Sequence, residues 1–542
     1  MADIFVTGHR NPDTDSIVAA LAYANLRQAL GDREYKAVRI GSINDETHRV
    51  LARFGVEAPE YVRNLRTQVK DIEFDRPPLI RETVTTELAW DTMTEQDVST
   101  MPVTDDDGRL FGVITKGDIA TYDMQTIYNS HIDELPIFKD LEIPCSRYHD
   151  AALNNPGYAL VDISRIFPLF HLDADDPRNY IFKPTDDYVL RTLATGSEVE
   201  FKLGESIEHS KNRYRVVAPT DMKKLADICI HIVRHYNAGW ANGYKLNIRR
   251  WSVWEEPNLE QILYCPDGKN LETYCRMYEA IVRPIKAEFP ETLVGGPEDT
   301  GDMNFRRAFV QYCRDRSVPL DFVMFDNYSR DPEALRERIF ETRKMLDEVG
   351  FPKARVGVAE WHYGPTGWQD LNNNPAKAKA TTADLQGIDS GVYSASVLAR
   401  MQDSPADDLF FYVPSGKTWG FFDGSQLNPN GLAFKAFKMM AAKGEATRVD
   451  VPSFPERGRY LLASKHGGKG WVMLCNFKRS DDAVLRLKGA TPVSVLRLDD
   501  VCRLEEVRDD WRWDAAPRNL LLKAPLASTS AMWLVECNLL EK

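Results

Sequence analysis

The 542-residue sequence has no apolar run of the roughly eighteen residues that a membrane-crossing helix needs, so no transmembrane helix is expected. Positive charge is in short supply: 68 Lys and Arg face 81 Asp and Glu, a net charge of −13. Surfaces that hold nucleic acid or anionic lipid need clustered Lys and Arg, and no basic stripe occurs, so neither partner is expected. The opening ten residues lack the basic start and apolar core of a secretory signal. Eight cysteines, at positions 145, 229, 265, 275, 313, 475, 502 and 537, form no C-x-x-C pair. The expectation is a cytoplasmic protein with reduced thiols, lacking structural disulfides and zinc. Internal repeats, low-complexity tracts and His-His pairs are also missing.

What remains is an ordinary globular composition, 43% hydrophobic and 27% charged, in a chain too long for one core. Residues 1–70 open as a partial α/β domain: a strand at 3–7, a polar loop at 8–15, a helix over Ser16–Leu30 and a strand over Lys36–Gly41. Residues 71–122 read as a smaller unit, with a helix over Glu87–Glu95 and strands over Thr100–Thr104 and Leu110–Thr115. From 124 to 443, long helices (Asp221–His235, Leu271–Glu288, Asn304–Arg316, Pro332–Val349) alternate with short buried strands. Strand tips fall near His149, Gly204, Glu256, Pro297, Tyr328, Glu360 and Pro414. The fold class is therefore α/β, a (β/α)8 TIM-type barrel one strand short. Residues 444–542 switch to short alternating strands, a β-sandwich.

The chemistry gathers at two strand ends. An alternating apolar run, Leu246–Trp254, is followed at once by Glu255 and Glu256, and Arg355–Ala359 by Glu360. Catalytic groups of a (β/α)8 barrel sit at the C-terminal tips of its strands. A retaining glycosidase needs one carboxyl to protonate the leaving oxygen and another, about 5–5.5 Å away, to attack the anomeric carbon. The acid's pKa must be raised, which burial and a neighbouring carboxylate can supply. Trp251, Trp254, Trp361 and Trp419 offer flat apolar faces for sugar rings. A competing reading makes Glu256 a helix-start carboxylate before Pro257.

With these residues in view, 124–542 resembles glycoside hydrolase family 39, the β-xylosidase and α-L-iduronidase group of retaining barrels. The resemblance rests on Arg147-x-His149-Asp, Trp254-Glu-Glu-Pro-Asn258, Gly295-Gly-Pro297, Asp321-Phe-Val, Ala359-Glu360-Trp and Gly420-Phe-Phe-Asp423 with Pro429 and Phe434. It implies Glu256 as general acid/base, Glu360 as nucleophile, and no cofactor. Sugar contacts are expected at His149, Glu255, Asn258, Tyr328, Trp361 and Trp419. The chain departs from the family pattern twice: Glu255 stands where the family has Asn, and Asp326-Asn-Tyr328 keeps the family's Tyr but loses its His. Relative to that family the absent strand is the first, due before residue 144. Leu110–Thr115 is the obvious candidate, yet it fits the smaller unit. Either the barrel lacks strand one, or two genes are abruptly fused near residues 120–130. An unpaired sheet edge is expected to lower stability and favour aggregation.

The loop His9-Arg-Asn-Pro-Asp13-Thr-Asp15-Ser16 places imidazole and carboxylates at a helix start, a donor set suited to Mn²⁺ and a dipole suited to phosphate. A plainer reading makes Asp15 or Ser16 the helix cap. The string resembles the start of a manganese-dependent, family II inorganic pyrophosphatase of the DHH superfamily. Residues 71–122, with Pro102-Val-x-Asp and Gly112-Val-Ile-Thr115-x-x-Asp118, resemble the CBS domain that some of those enzymes carry. The resemblance implies His9, Asp13 and Asp15 as manganese ligands, and Asp118 as a ribose contact for an adenine nucleotide. The pyrophosphatase's Asp-His-His triplet and phosphate-binding domain are lacking. The leading expectation is a retaining glycosidase acting on a β-linked sugar such as a xyloside. The alternatives are a manganese-dependent pyrophosphatase with an incomplete site, and a non-catalytic CBS nucleotide-sensing fusion.

Overall fold

The computed structural model describes residues 3–63, 78–81, 84, 86–96, 98–105, 107–116, 134–148, 160–208, 212–364, 375–414, 418–423, 426–451, 457–526 and 528–540. The chain divides into two compact units, Met1–Ile127 and Tyr128–Lys542.

In the first unit, β1 (Ile4–Val6), β2 (Tyr35–Arg39) and β3 (Glu60–Tyr61) form a parallel sheet. Helix Thr14–Ala29 buries Ile17, Ala20 and Ala24, and the Asp13 carboxylate caps it by accepting from the Ser16 amide at 2.9 Å. A second small sheet joins β4 (Ile80–Arg81), β5 (Thr100–Thr104) and β6 (Leu110–Thr115), with Ala89 and Met93 of helix Thr86–Glu95 packed on Met101. Leu110–Thr115 pairs with Thr100–Thr104 here and so serves this sheet, not the barrel.

The second unit contains seven parallel strands in sequential order: β7 (Cys145–Arg147), β8 (Glu198–Leu203), β9 (Arg250–Val253), β10 (Leu293–Asp299), β11 (Phe322–Ser329), β12 (Arg355–Tyr363) and β13 (Asp408–Phe411). Helices intervene, including Met222–Asn237, Asn270–Glu288, Met303–Asp315 and Pro332–Val349. This is a nearly closed (β/α)8-type barrel. Among the described residues β7 and β13 are its two edges, leaving a seam where strand one was expected. Arg250, at the foot of β9, lies 3.1 Å from Cys145 Sγ on β7 and 3.6 Å from Asp408 on β13, so one guanidinium reaches both sides of the seam.

The strand expected over Leu246–Trp254 is shorter, Arg250–Val253. Asn247 is left-handed (φ 54°), and the Asn237 side chain takes both the N–H and the C=O of Ile248, at 2.7 and 2.9 Å. Those groups are therefore spent on a helix end instead of a neighbouring strand.

The C-terminal strands form a sandwich. One antiparallel sheet runs Thr447–Val449, Arg459–His466, Lys469–Asn476, Ala531–Leu539, Ala490–Leu498, Arg503–Glu506; the other comprises Ala483–Arg486, Asn519–Leu522 and Trp511–Asp514. Leu474, Leu485, Leu520 and Trp533 fill the space between them. The sandwich also shares the barrel's core: Tyr393 of helix Ile388–Arg400 packs on Phe477, ring centroids 5.9 Å apart. Among the described residues no helix is long and apolar enough to cross a membrane.

Candidate active site

Successive strands deliver charged and polar side chains to one mouth of the barrel: Arg147 (β7), Lys202 (β8), Glu255 and Glu256 (after β9), Glu298 (β10), Asp326 and Tyr328 (β11), and Glu360 (β12). The turn after β9 is sharp. Trp254 and Glu256 both have left-handed φ, 63° and 34°, and such strain clusters at functional sites because surrounding contacts over-determine it. Those contacts are present. The Trp254 amide donates to Leu203 O at 2.9 Å, its indole N–H to Ile262 O at 2.8 Å, and the Glu256 amide to Glu298 O at 2.9 Å. Gly204 is required beside it, because a Cβ there would come 2.8 Å from the Trp254 Cα. No helix starts at Pro257; the next one begins at Asn270, so Glu256 is not a helix-start carboxylate.

Tyr328 and Arg147 both donate to Glu360. The Tyr328 hydroxyl donates to Oε2 at 2.7 Å, and Arg147 Nη1 to Oε1 at 3.3 Å. Arg147 is buried and also donates Nε and Nη2 to Glu298, the Nε contact being 3.2 Å. Burial opposes its charge, but Glu298, Glu360 and Glu255 outweigh that and hold its pKa above the ordinary value. Fully buried Lys202 lies 3.0 Å from Glu255 and 3.8 Å from Asp162, whose other oxygen accepts from Arg215 at 2.7 Å. Glu255 is thus locked into a buried ion pair, and the departure from Asn is matched by a lysine on the neighbouring strand. Burial, then the charges of Glu360 and Glu256, pushes Asp326 well above the carboxylate range. Both glutamates are therefore within electrostatic reach of one aspartate. Burial and Glu298 raise Glu200 similarly.

Of the expected sugar contacts, Tyr328 and Trp419 are together, ring centroids 5.8 Å apart, with Tyr412 beside both. His362 wedges between the carbonyls of Tyr363 and Trp419, at 3.1 and 3.2 Å, and burial lowers its pKa to about 4; a neutral ring donates to only one of the two. Trp361 corrects the expectation. Only 1% exposed, it packs among Phe411, Phe434 and Tyr393, because neighbours on a strand point to opposite faces and Glu360 takes the inner one. Trp251 and Trp254 are buried as well. Asn258 gives its amide to Thr300 Oγ1 at 2.6 Å and accepts from the Thr300 N–H at 3.3 Å, so it ties down the Glu256 loop. His149 and Asp118 lie outside the described residues.

Sequence reasoning missed Glu298 and Lys202. The signal was a carboxylate inside the buried run Leu293–Asp299, and a lysine inside Glu198–Leu203.

At the other end of the chain, His9 and Asp13 approach to 3.5 Å, but both are exposed and Asp13 is already the helix cap. Among the described residues no group of three His, Cys, Asp or Glu is placed to hold a metal ion.

The nearly closed parallel barrel carries glutamates on neighbouring strands at one mouth. In comparison with known proteins, residues 161–402 match the profile of Glycosyl hydrolases family 39, and residues 69–125 that of the CBS domain. A beta-xylosidase of Geobacillus stearothermophilus is 27% identical over 232 residues, 38% of this chain and 40% of that protein. A cobalt-dependent inorganic pyrophosphatase of Clostridium perfringens is 38% identical over 130 residues, 24% of this chain and 23% of that protein. A glucosidase structure from Croceicoccus marinus shares the fold, with a TM-score of 0.56 at 21% identity over 76% of this chain and 93% of that one. The chain spans less than half the length of the curated relatives it matches.

Proposed function

We propose that the protein is a retaining glycoside hydrolase acting on a neutral β-linked sugar such as a xyloside. The observation that carries this reading is Glu360, a buried strand-end carboxylate gripped by Tyr328 and Arg147, in one electrostatic cluster with Glu256. Glu256 donates a proton to the glycosidic oxygen while Glu360 attacks the anomeric carbon and the aglycone leaves. Glu256, now a carboxylate, takes a proton from water, whose oxygen attacks the same carbon and frees Glu360. Arg147 and Lys202 already face carboxylates, which favours neutral over acidic sugars.

The test is a panel of aryl β-glycosides. Wild type should cleave at least one, and Glu360→Gln should lose activity by about 10³-fold or more. Glu256→Gln should be crippled on phenyl glycosides but much less so on dinitrophenyl ones, whose leaving groups need little protonation. A folded wild type that cleaves none of the panel would end the proposal.

A second, regulatory reading is favoured by the CBS profile match at 69–125: an adenine nucleotide binds there. Calorimetric titration with AMP and ATP checks it, and absence of heat counts against it.

A further inference from the structure

Asp326 stands amid the cluster, 4% exposed, and neither of its carboxyl oxygens has a hydrogen-bond partner among the described residues. Interiors satisfy about nine in ten buried polar groups, because an unmade hydrogen bond there costs the full desolvation of the group. The placement explains what could supply the partner. Asp326 aligns with Glu360 across the β11–β12 ladder and lies two residues before Tyr328, hence on the same face. Tyr328 in turn donates to Glu360. An uncharged carboxyl has one O–H donor and one carbonyl acceptor, the complement of a sugar hydroxyl. The raised pKa of Asp326 accords with that state. An acidic substituent at the same point would meet Glu256, Glu298 and Glu360, all of which act electrostatically on Asp326.

We infer that Asp326 is a recognition residue whose carboxyl hydrogen-bonds a hydroxyl of the neutral sugar ring held against Glu360. This rests on the glycosidase reading and names how that site selects its sugar. Asp326 stands where the family pattern has His.

The experiment compares wild type, Asp326→Asn and Asp326→Val on phenyl β-D-xyloside and β-D-glucoside and on their monodeoxy analogues. The unreactive phenyl thioglycosides of the same series are titrated by calorimetry, which reads recognition without turnover. Asp326→Val should lose about ten- to hundred-fold in kcat/KM and in affinity for the parent sugar, a single lost hydrogen bond. The loss should vanish for one monodeoxy analogue, and Asp326→Asn, which keeps a donor and an acceptor, should retain most affinity. An equal penalty for the parent and every deoxy analogue, or no penalty at all, overturns the inference. Thioglycoside binding with the expected Asp326 dependence but no cleavage would sink the catalytic reading and leave the recognition role standing. Neither binding nor cleavage would sink both.

Discussion

Arg147 shows how much one side chain organises here, since it joins Glu298 to Glu360 from a buried position. Removing one partner of a buried pair leaves the other charge uncompensated, which costs about 3–5 kcal/mol. Arg147→Met should therefore melt at markedly lower temperature, measured by calorimetry, as well as lose activity. Glu298→Gln keeps the shape but loosens the grip on Arg147, so kcat should fall by about tenfold or more with KM little changed. Glu205 offers a pH test. Burial, then Asp162, pushes it up to about 8, above its unfolded value, so the native state holds the proton longer. The stability tied to that proton is complete below about pH 4.5 and drains away as pH rises towards 8. Glu205→Gln should consequently gain melting temperature relative to wild type as pH climbs through that window. At this scale Glu256 and Glu360 stand out in the sequence as candidates because a carboxylate following an apolar strand is conspicuous. Trp361, open in the sequence to packing or to sugar stacking, is buried among aromatic rings by the alternation that turns it away from Glu360.

At the scale of elements, the end of β8 and the turn after β9 are cross-linked by Lys202 and Glu255, 3.0 Å apart and fully buried. Glu255→Asn would restore the family residue, yet it takes from Lys202 the carboxylate 3.0 Å away and should destabilise the protein by a few kcal/mol. Adding Lys202→Met should recover most of that loss, and urea melts of the four-member cycle measure the coupling. A cycle without coupling would show that the two charges do not act as a pair. Barrel helices were readable to within a residue or two, Pro332–Val349 without change, because their apolar positions recur at helical spacing. The strand Leu246–Trp254 was overextended because alternation cannot reveal that Asn237 satisfies Ile248. The sandwich strands Arg503–Glu506 and Trp511–Asp514 escaped notice, each four residues long and heavily charged or short of aliphatic residues.

On the scale of the whole molecule, the two units set different expectations for truncation. Residues 128–542 hold the barrel and sandwich in one shared core, and should express alone with the melting temperature and glycoside specificity of that part of the full chain. Removing 445–542 would strip partners such as Phe477 and Tyr460 from Tyr393 and its neighbours, and should yield insoluble protein or a non-cooperative melt. The expectation of a missing first strand came from counting strands against a family pattern, and seven are described.

The seam has a mechanical consequence. β9 to β12 are consecutive hydrogen-bonded neighbours, so the strands carrying Glu256 and Glu360 are linked by an unbroken ladder, whereas β7 and β13 are edges among the described residues. Arg147, however, rides on β7, one lip of the seam, and still reaches across to Glu360. A shift of β7 would thus change the charge felt by Glu360 while leaving the β9 to β12 ladder intact, and the Arg250 contacts tie β9 to both β7 and β13.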